Sequence, residues 1–239
     1  MRFDGRRAVV RTSISVALAT GLYGVSFGAL SVVAGLSTAQ TMALSLLMFS
    51  GGSQFAFIGV LGAGGAAGAA IATAGLLGAR NGLYGPQVAP LLGVHGGRRL
   101  LAAQLTIDES TAVATAQTSL DDARTGFWWT GAGVFVLWNA FTLLGAVLGD
   151  ALGDPRRYGL DAAAAAAFLA LVWPRISGPT GTVARLVAGG AVLVALALTP
   201  FTPAGVPVLV AAAVAILVGM LAPLSPDEPT TSEHTGDVP

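Results

Sequence analysis

The 239-residue chain is 54% hydrophobic and only 10% charged, with a mean hydropathy of +0.75, whereas a soluble domain carries roughly a quarter charged residues. That excludes a soluble globule with a charged skin and predicts an all-α polytopic transmembrane bundle of seven to eight spans. Net charge is zero, cysteine and lysine are absent, and the histidines, His95 and His234, lie far apart; nucleic-acid binding, disulfides, thiol chemistry and a histidine-held metal are therefore not expected.

Residues 1–11 hold Arg2, Arg6, Arg7 and Arg11 against a single Asp4, which reads as a basic cytoplasmic N-terminal tail. The apolar run over 12–36 is too long for a signal-peptide core and reads as an uncleaved first span. Further spans are predicted over 38–61, 100–120, 127–148, 160–173, 183–198 and 206–221, with turns or charge clusters between them. The helical domain thus covers 12–223, and the proline- and acid-rich residues 224–239 read as a disordered tail.

The stretch 65–94 fits one span poorly, since a continuous helix of that length reaches about 45 Å against a hydrocarbon core of roughly 30 Å. It contains Gly78-Ala79-Arg80-Asn81-Gly82 and then Gly85-Pro86, poor helix interiors that predict a broken helix near residues 78–85. If the two half-helices leave by the side they entered, seven full crossings result, with eight arginines inside and three outside. A true crossing gives eight spans and a seven-to-four split, so arginine placement favours the first arrangement.

Charges inside apolar segments mark candidate chemistry. Asp108 and Glu109 sit in the middle of the fourth segment; helical spacing puts Gln104, Asp108, Thr111, Thr115 and Thr118 on one polar stripe and turns Glu109 about 100° away. A carboxylate there needs water, an arginine or the protein interior, and is a candidate for proton coupling; the plainer alternative is a structural ion pair. Arg80 can grip a substrate carboxylate or pair with Asp108 when no substrate is bound, the alternative being an interfacial arginine reaching for water.

In the second span Phe49-Ser50-Gly51-Gly52-Ser53-Gln54-Phe55 weakens the helix and exposes backbone groups to a ligand, the alternative being that Gly51 and Gly52 let another helix approach. Gly24, Gly28, Ser31 and Gly35 read as a helix-packing stripe, Asn139 as an interhelical hydrogen bond and Asp161 as an N-cap. Among these residues Arg80 offers a cation, Gln54, Asp108 or carbonyls near Ser53 an acceptor, and Phe55, Phe57 or Tyr84 an apolar wall. No G-x-S-x-G, H-E-x-x-H or P-loop pattern is present, so an enzyme is not expected and no cofactor is called for.

Gly24-Val25-Ser26-Phe27-Gly28, Ala34-Gly35-Leu36-Ser37, the run 49–55, the run 79–85 and Thr106-Ile107-Asp108-Glu109-Ser110 together resemble the AzlC-type branched-chain amino acid permeases, the large subunit of a two-component exporter. The resemblance covers about residues 12–120; beyond it only Gly-Leu-Asp at 159–161 agrees. It implies export of valine, leucine, isoleucine and methionine across the bacterial inner membrane by the proton motive force, with a small four-span AzlD-type partner. Substrate contacts fall on Gly51, Gly52, Ser53, Gln54, Arg80, Asn81 and Tyr84, and proton coupling on Asp108 and Glu109. The family's usual Asn-x-Arg-His reads here Gly78-Ala79-Arg80-Asn81, so a histidine relay at position 81 is absent. An uptake transporter or channel for another small solute and a non-transporting structural subunit are the rival readings.

Overall fold

The computed structural model describes residues 2–152 and 181–221, with a few isolated positions between them. The described residues form helices and no strands: α1 (Arg2–Val33), α2 (Thr38–Leu47), α3 (Gly52–Gly62), α4 (Ala67–Leu92), α5 (Gly97–Gln104), α6 (Asp108–Thr115), α7 (Leu120–Leu152), α8 (Thr182–Leu198) and α9 (Val206–Leu221). The arginine-rich segment is the opening of α1 rather than a separate tail. Of the element expected over 160–173 only Leu169, Val172 and Trp173 are described, all helical, and its expected cap Asp161 and the tail expected over 224–239 lie outside the described residues.

Two helices, over Gly5–Val33 and Leu120–Ala151, are long and apolar enough to cross a membrane. They pack against each other in parallel: Gly126 faces Val9, Gly133 faces Ala17, Gly21 faces Leu137, and Gly149 faces Ala29. Small residues let the two backbones approach closely. A Cβ on Gly24 would lie 2.6 Å from the Trp138 carbonyl oxygen, and one on Gly28 or Gly145 would strike the backbone of Thr142 or Val25. Gly24 and Gly28 thus have the packing role expected of them. Gly35 does not, because it occupies the turn after α1 with φ +95°. Asn139 bonds within its own helix, to the Phe135 carbonyl at 2.7 Å, rather than across to another.

The second expected span is not one helix. Ser37 caps α2 through a reciprocal pair with Gln40 (3.2 and 2.8 Å); α2 ends after Leu47, and α3 starts behind Gly51, whose φ of +56° needs a glycine. Phe55 at the start of α3 stacks edge-on against Phe27, and Gly62 at its end reaches Ala34 at the end of α1. α3 therefore runs parallel to α1, and α2–α3 is a hairpin that returns to the end from which it came.

The fourth expected span is also a hairpin. α5 stops at Leu105, Ile107 is extended (φ −128°, ψ 174°), and α6 restarts at Asp108. Ser110 Oγ accepts from the Ile107 N–H at 3.1 Å and donates to the Leu105 carbonyl at 2.6 Å, which fastens the bend. Within α6, Ser110 faces Gly131 and Val113 faces Gly126, so α6 descends along α7 to the arginine-rich end. The single polar stripe from Gln104 to Thr118 is thereby corrected: Gln104 belongs to α5, Asp108 opens α6, and Thr118 lies beyond it.

Residues 78–85, where the break was expected, lie inside one uninterrupted 26-residue helix, α4, that also contains Pro86 and Pro90. At about 1.5 Å per residue it is about 39 Å long. The expectation fails because glycine and proline penalties of about 1–3 kcal/mol are measured in water. Where water is scarce, backbone groups find partners most readily inside the helix. α4 starts beside the end of α3 and ends where its Leu91 carbonyl accepts from Arg124 Nε (3.0 Å) at the start of α7, so it runs opposite to α1 and α7.

The order is thus a long helix and a hairpin (α1, α2–α3), then the same pair inverted (α4, α5–α6). The two hairpins enter from opposite ends and their tips meet in the middle, where Gln104 Nε2 donates to the Leu46 carbonyl at 2.9 Å. Phe27, Phe55 and Trp138 fill the space beside the first tip, with ring centroids 5.7–6.1 Å apart. The turn between α8 and α9 rests on Val60 and Ala69 at the other end.

Candidate functional site

The middle of α4 presents Arg80 and Tyr84 one turn apart, on one face. The second hairpin tip places Asp108 opposite them. Arg80 Nη2 lies 2.6 Å from Asp108 Oδ2, and the Tyr84 hydroxyl donates to Asp108 Oδ1 at 2.5 Å. Both carboxylate oxygens are held by α4, while the amino end of α6 favours the negative charge. The side chains retain 28% and 20% exposure, so a ligand can still reach the pair. Among the described residues Arg80 Nε is buried without a hydrogen-bond partner.

Glu109 turns away from α4 and accepts a weak bond from Thr20 Oγ1 on α1 at 3.4 Å. The two neighbouring acids thus address two different long helices, Asp108 with an arginine and Glu109 with a hydroxyl.

From the other hairpin, Gly51 caps α3 beside the Trp138 ring, Gly52 opens the helix, and buried Ser53 lies against α4. A Cβ on Gly78 would sit 3.1 Å from Ser53 Oγ, so the missing side chain at Gly78 makes room for it. Gln54 is fully buried and clamps its own hairpin, its Nε2 donating to the Leu44 and Ser45 carbonyls at 3.2 and 3.4 Å. Phe55 belongs to the aromatic cluster, Phe57 lines a groove between α2 and α3, and Asn81 faces a groove between α4 and α5. The structure therefore brings Arg80, Tyr84 and Asp108 together, sets Ser53 nearby, and gives Gln54 and Phe55 to packing.

Sequence reasoning missed Thr20 and the part played by Gln104 and Ser110. A lone threonine inside an apolar run and the start signal Asp108-Glu109-Ser110 were the available clues. Among the described residues no group of three His, Asp or Glu side chains is arranged to hold a metal.

A family model described as AzlC protein matches residues 15–152. The chain belongs to the AzlC family. The matched stretch of this AzlC-family chain contains both hairpins, the Arg80–Asp108 pair and the α1–α7 seam, and it stops where α7 ends. Membership makes the chain a component of a membrane transport system. No curated protein and no solved structure matches it.

Proposed function

We propose that this chain is the translocating subunit of a secondary exporter of valine, leucine, isoleucine and methionine in the bacterial inner membrane, driven by the proton motive force and completed by a small AzlD-type subunit. The observation that carries the reading is the Arg80–Asp108–Tyr84 cluster at the meeting point of two oppositely entering hairpins. Interrupted helices at mid-depth are how transporters present polar groups to a substrate.

Charge placement supports a multi-pass arrangement. Arg2, Arg6, Arg7, Arg11, Arg98, Arg99, Arg124 and Arg185 all belong to the end where α1 begins. The turns 34–37, 63–66 and 199–205 at the opposite end carry no charge, while α7 also ends there, with Asp150 in its last turn and Arg156 and Arg157 following it in the sequence. With α1, α4 and α7 crossing and the hairpins dipping half-way, the arginine-rich end faces the cytoplasm by the positive-inside rule. Neither arrangement drawn from the sequence has these two hairpins.

In the proposed cycle Arg80 exchanges Asp108 for the substrate carboxylate, and Asp108 takes the ammonium or a proton. An apolar wall separates neighbouring methylenes by only about 1–3 kcal/mol, so the four substrates compete with one another. Charged amino acids do not, because their extra charge finds no partner. No enzymatic step or cofactor is required.

The test is counterflow of labelled leucine in proteoliposomes, with and without the small partner, comparing wild type with Asp108→Asn and Arg80→Lys. Loss of gradient-driven flux with normal folding is expected in both. Unchanged flux in Asp108→Asn defeats the coupling role, and flux of another solute without leucine supports the rival channel or uptake reading.

A further inference from the structure

Between α4 and α5 lies a groove of about 780 Å³, lined by Asn81, Gly82, Gly85, Ala103 and Thr106 and opening beside Arg99. It runs along α4 and α5 from Asn81 and Thr106, which neighbour Arg80 and Asp108 in the chain, to His95 and Arg99, and the ion pair itself does not line it. Its mouth is at the arginine-rich end, where α5 begins. The volume is in the range of small-molecule sites, about 300–1,000 Å³.

Three features distinguish this groove from ordinary loose packing. A Cβ on Gly82 or Gly85 would meet nothing within 4 Å, so the glycines there face space instead of a neighbouring helix. Pro86, also on the groove, has no N–H for the Gly82 carbonyl, which leaves a backbone acceptor on the groove side of α4. α5 is tethered chiefly at its tip, through Gln104 and Leu105, while Leu100 and Leu101 are exposed and the loop before it bends at Gly93 and Gly96, both at φ +59°.

Toward the opposite end the path is closed. The hairpin tips are joined by Gln104 and Leu46, and Phe27, Phe55 and Trp138 pack behind them. A second groove there, about 650 Å³ between α2 and α3, is lined by Ala34, Gln40, Leu44 and Phe57 and lies along the first hairpin, away from α5.

We propose that the α4–α5 groove is the cytoplasmic vestibule through which a small zwitterion reaches Arg80 and Asp108, and that the α5–α6 hairpin is the gate that closes it. Arg99 at the mouth attracts the carboxylate, Asn81 and Thr106 receive the polar end, and the small walls admit an aliphatic side chain. The inference rests on the transporter reading for its ligand, and on the groove's geometry for its sidedness.

The chain contains no cysteine, so single cysteines report without background. Asn81→Cys, Gly85→Cys and Ala103→Cys, with Ala63→Cys in the opposite turn as control, are exposed to a charged, membrane-impermeant methanethiosulfonate in inside-out and right-side-out vesicles. The three groove positions are expected to react at least about tenfold faster from the cytoplasmic side, since a thiolate reacts only where water and reagent reach it; Ala63→Cys shows the reverse. Leucine is expected to slow labelling of Asn81→Cys and to leave His95→Cys unchanged. Groove cysteines that react from the outer side, or stay unlabelled while His95→Cys reacts, overturn the vestibule. Cytoplasmic labelling without leucine protection upholds the vestibule and counts against the proposed substrate.

Discussion

Glycine has opposite uses at the α1–α7 seam and the α4–α5 groove. At the seam the position of an added Cβ is already occupied by backbone: Trp138 opposite Gly24, Val25 opposite Gly145. In the groove, the same addition on Gly82 or Gly85 meets nothing. The seam joins two long parallel helices into a fixed frame, and the groove keeps two shorter elements apart. The same residue type therefore marks both a closely packed and an open part of the described bundle.

Alanine substitution breaks or sharpens that contrast directly. Gly145→Ala drives a methyl into the Val25 backbone and is expected to cost about 1–3 kcal/mol or more, seen as a fall in melting temperature or in monodisperse yield in detergent. Gly82→Ala and Gly85→Ala are expected to leave stability unchanged or raise it by about 0.5–1 kcal/mol, the ordinary gain of alanine over glycine in a helix. A neutral Gly145→Ala would mean that the seam is not closely packed.

Next in size is the ion pair at the head of the groove. Arg80→Ala or Asp108→Ala leaves a part-buried charge without its partner and is expected to cost about 1–3 kcal/mol, with the residual exposure of both groups holding the loss toward the lower figure. The double variant Arg80→Leu with Asp108→Leu is expected to recover stability and to transport nothing. Thermal unfolding with a flux assay on the same preparations separates the two effects. Recovery of flux in the double variant would remove the pair from the site.

Smaller still is the bond between the hairpin tips. Gln104→Leu removes one donor to the Leu46 carbonyl, worth about 1 kcal/mol, and is expected to allow labelling of Asn81→Cys from the outer side, with Ala63→Cys unchanged. Glu109→Gln is expected to be mildest, at or below about 0.5 kcal/mol, because its contact with Thr20 is long. A loss of flux in Glu109→Gln equal to that in Asp108→Asn would move the coupling role to Glu109.

Much of this was legible before folding. Gly51-Gly52 read as a weak point within one expected span, and a glycine at φ +56° there lets α3 start afresh behind α2. Gly24 and Gly28 mark the seam, since small residues at spacing four put two backbones together. The glycines of 78–85 follow the same composition rule and yet lie in a continuous helix, because helix propensity in water does not measure the cost of leaving a backbone group unpaired away from water. Ile107 carries no breaker at all. The bend there depends on Ser110 reaching back to Leu105 and Ile107, a contact between residues whose types alone also suit an uninterrupted span.

By itself the sequence determined the apolar class of the chain, the family, and the identity of Arg80, Asp108 and Glu109 as charges that need partners, since the cost of an unpaired charge is a property of the side chain. Only the tertiary structure decided which charges meet, because that depends on direction. An apolar segment of about twenty residues has the same hydropathy whether it passes through or turns back. Two segments turn back, α4 continues as one helix, and this choice sets Asp108 against Arg80, with Gly82 and Gly85 facing an open groove.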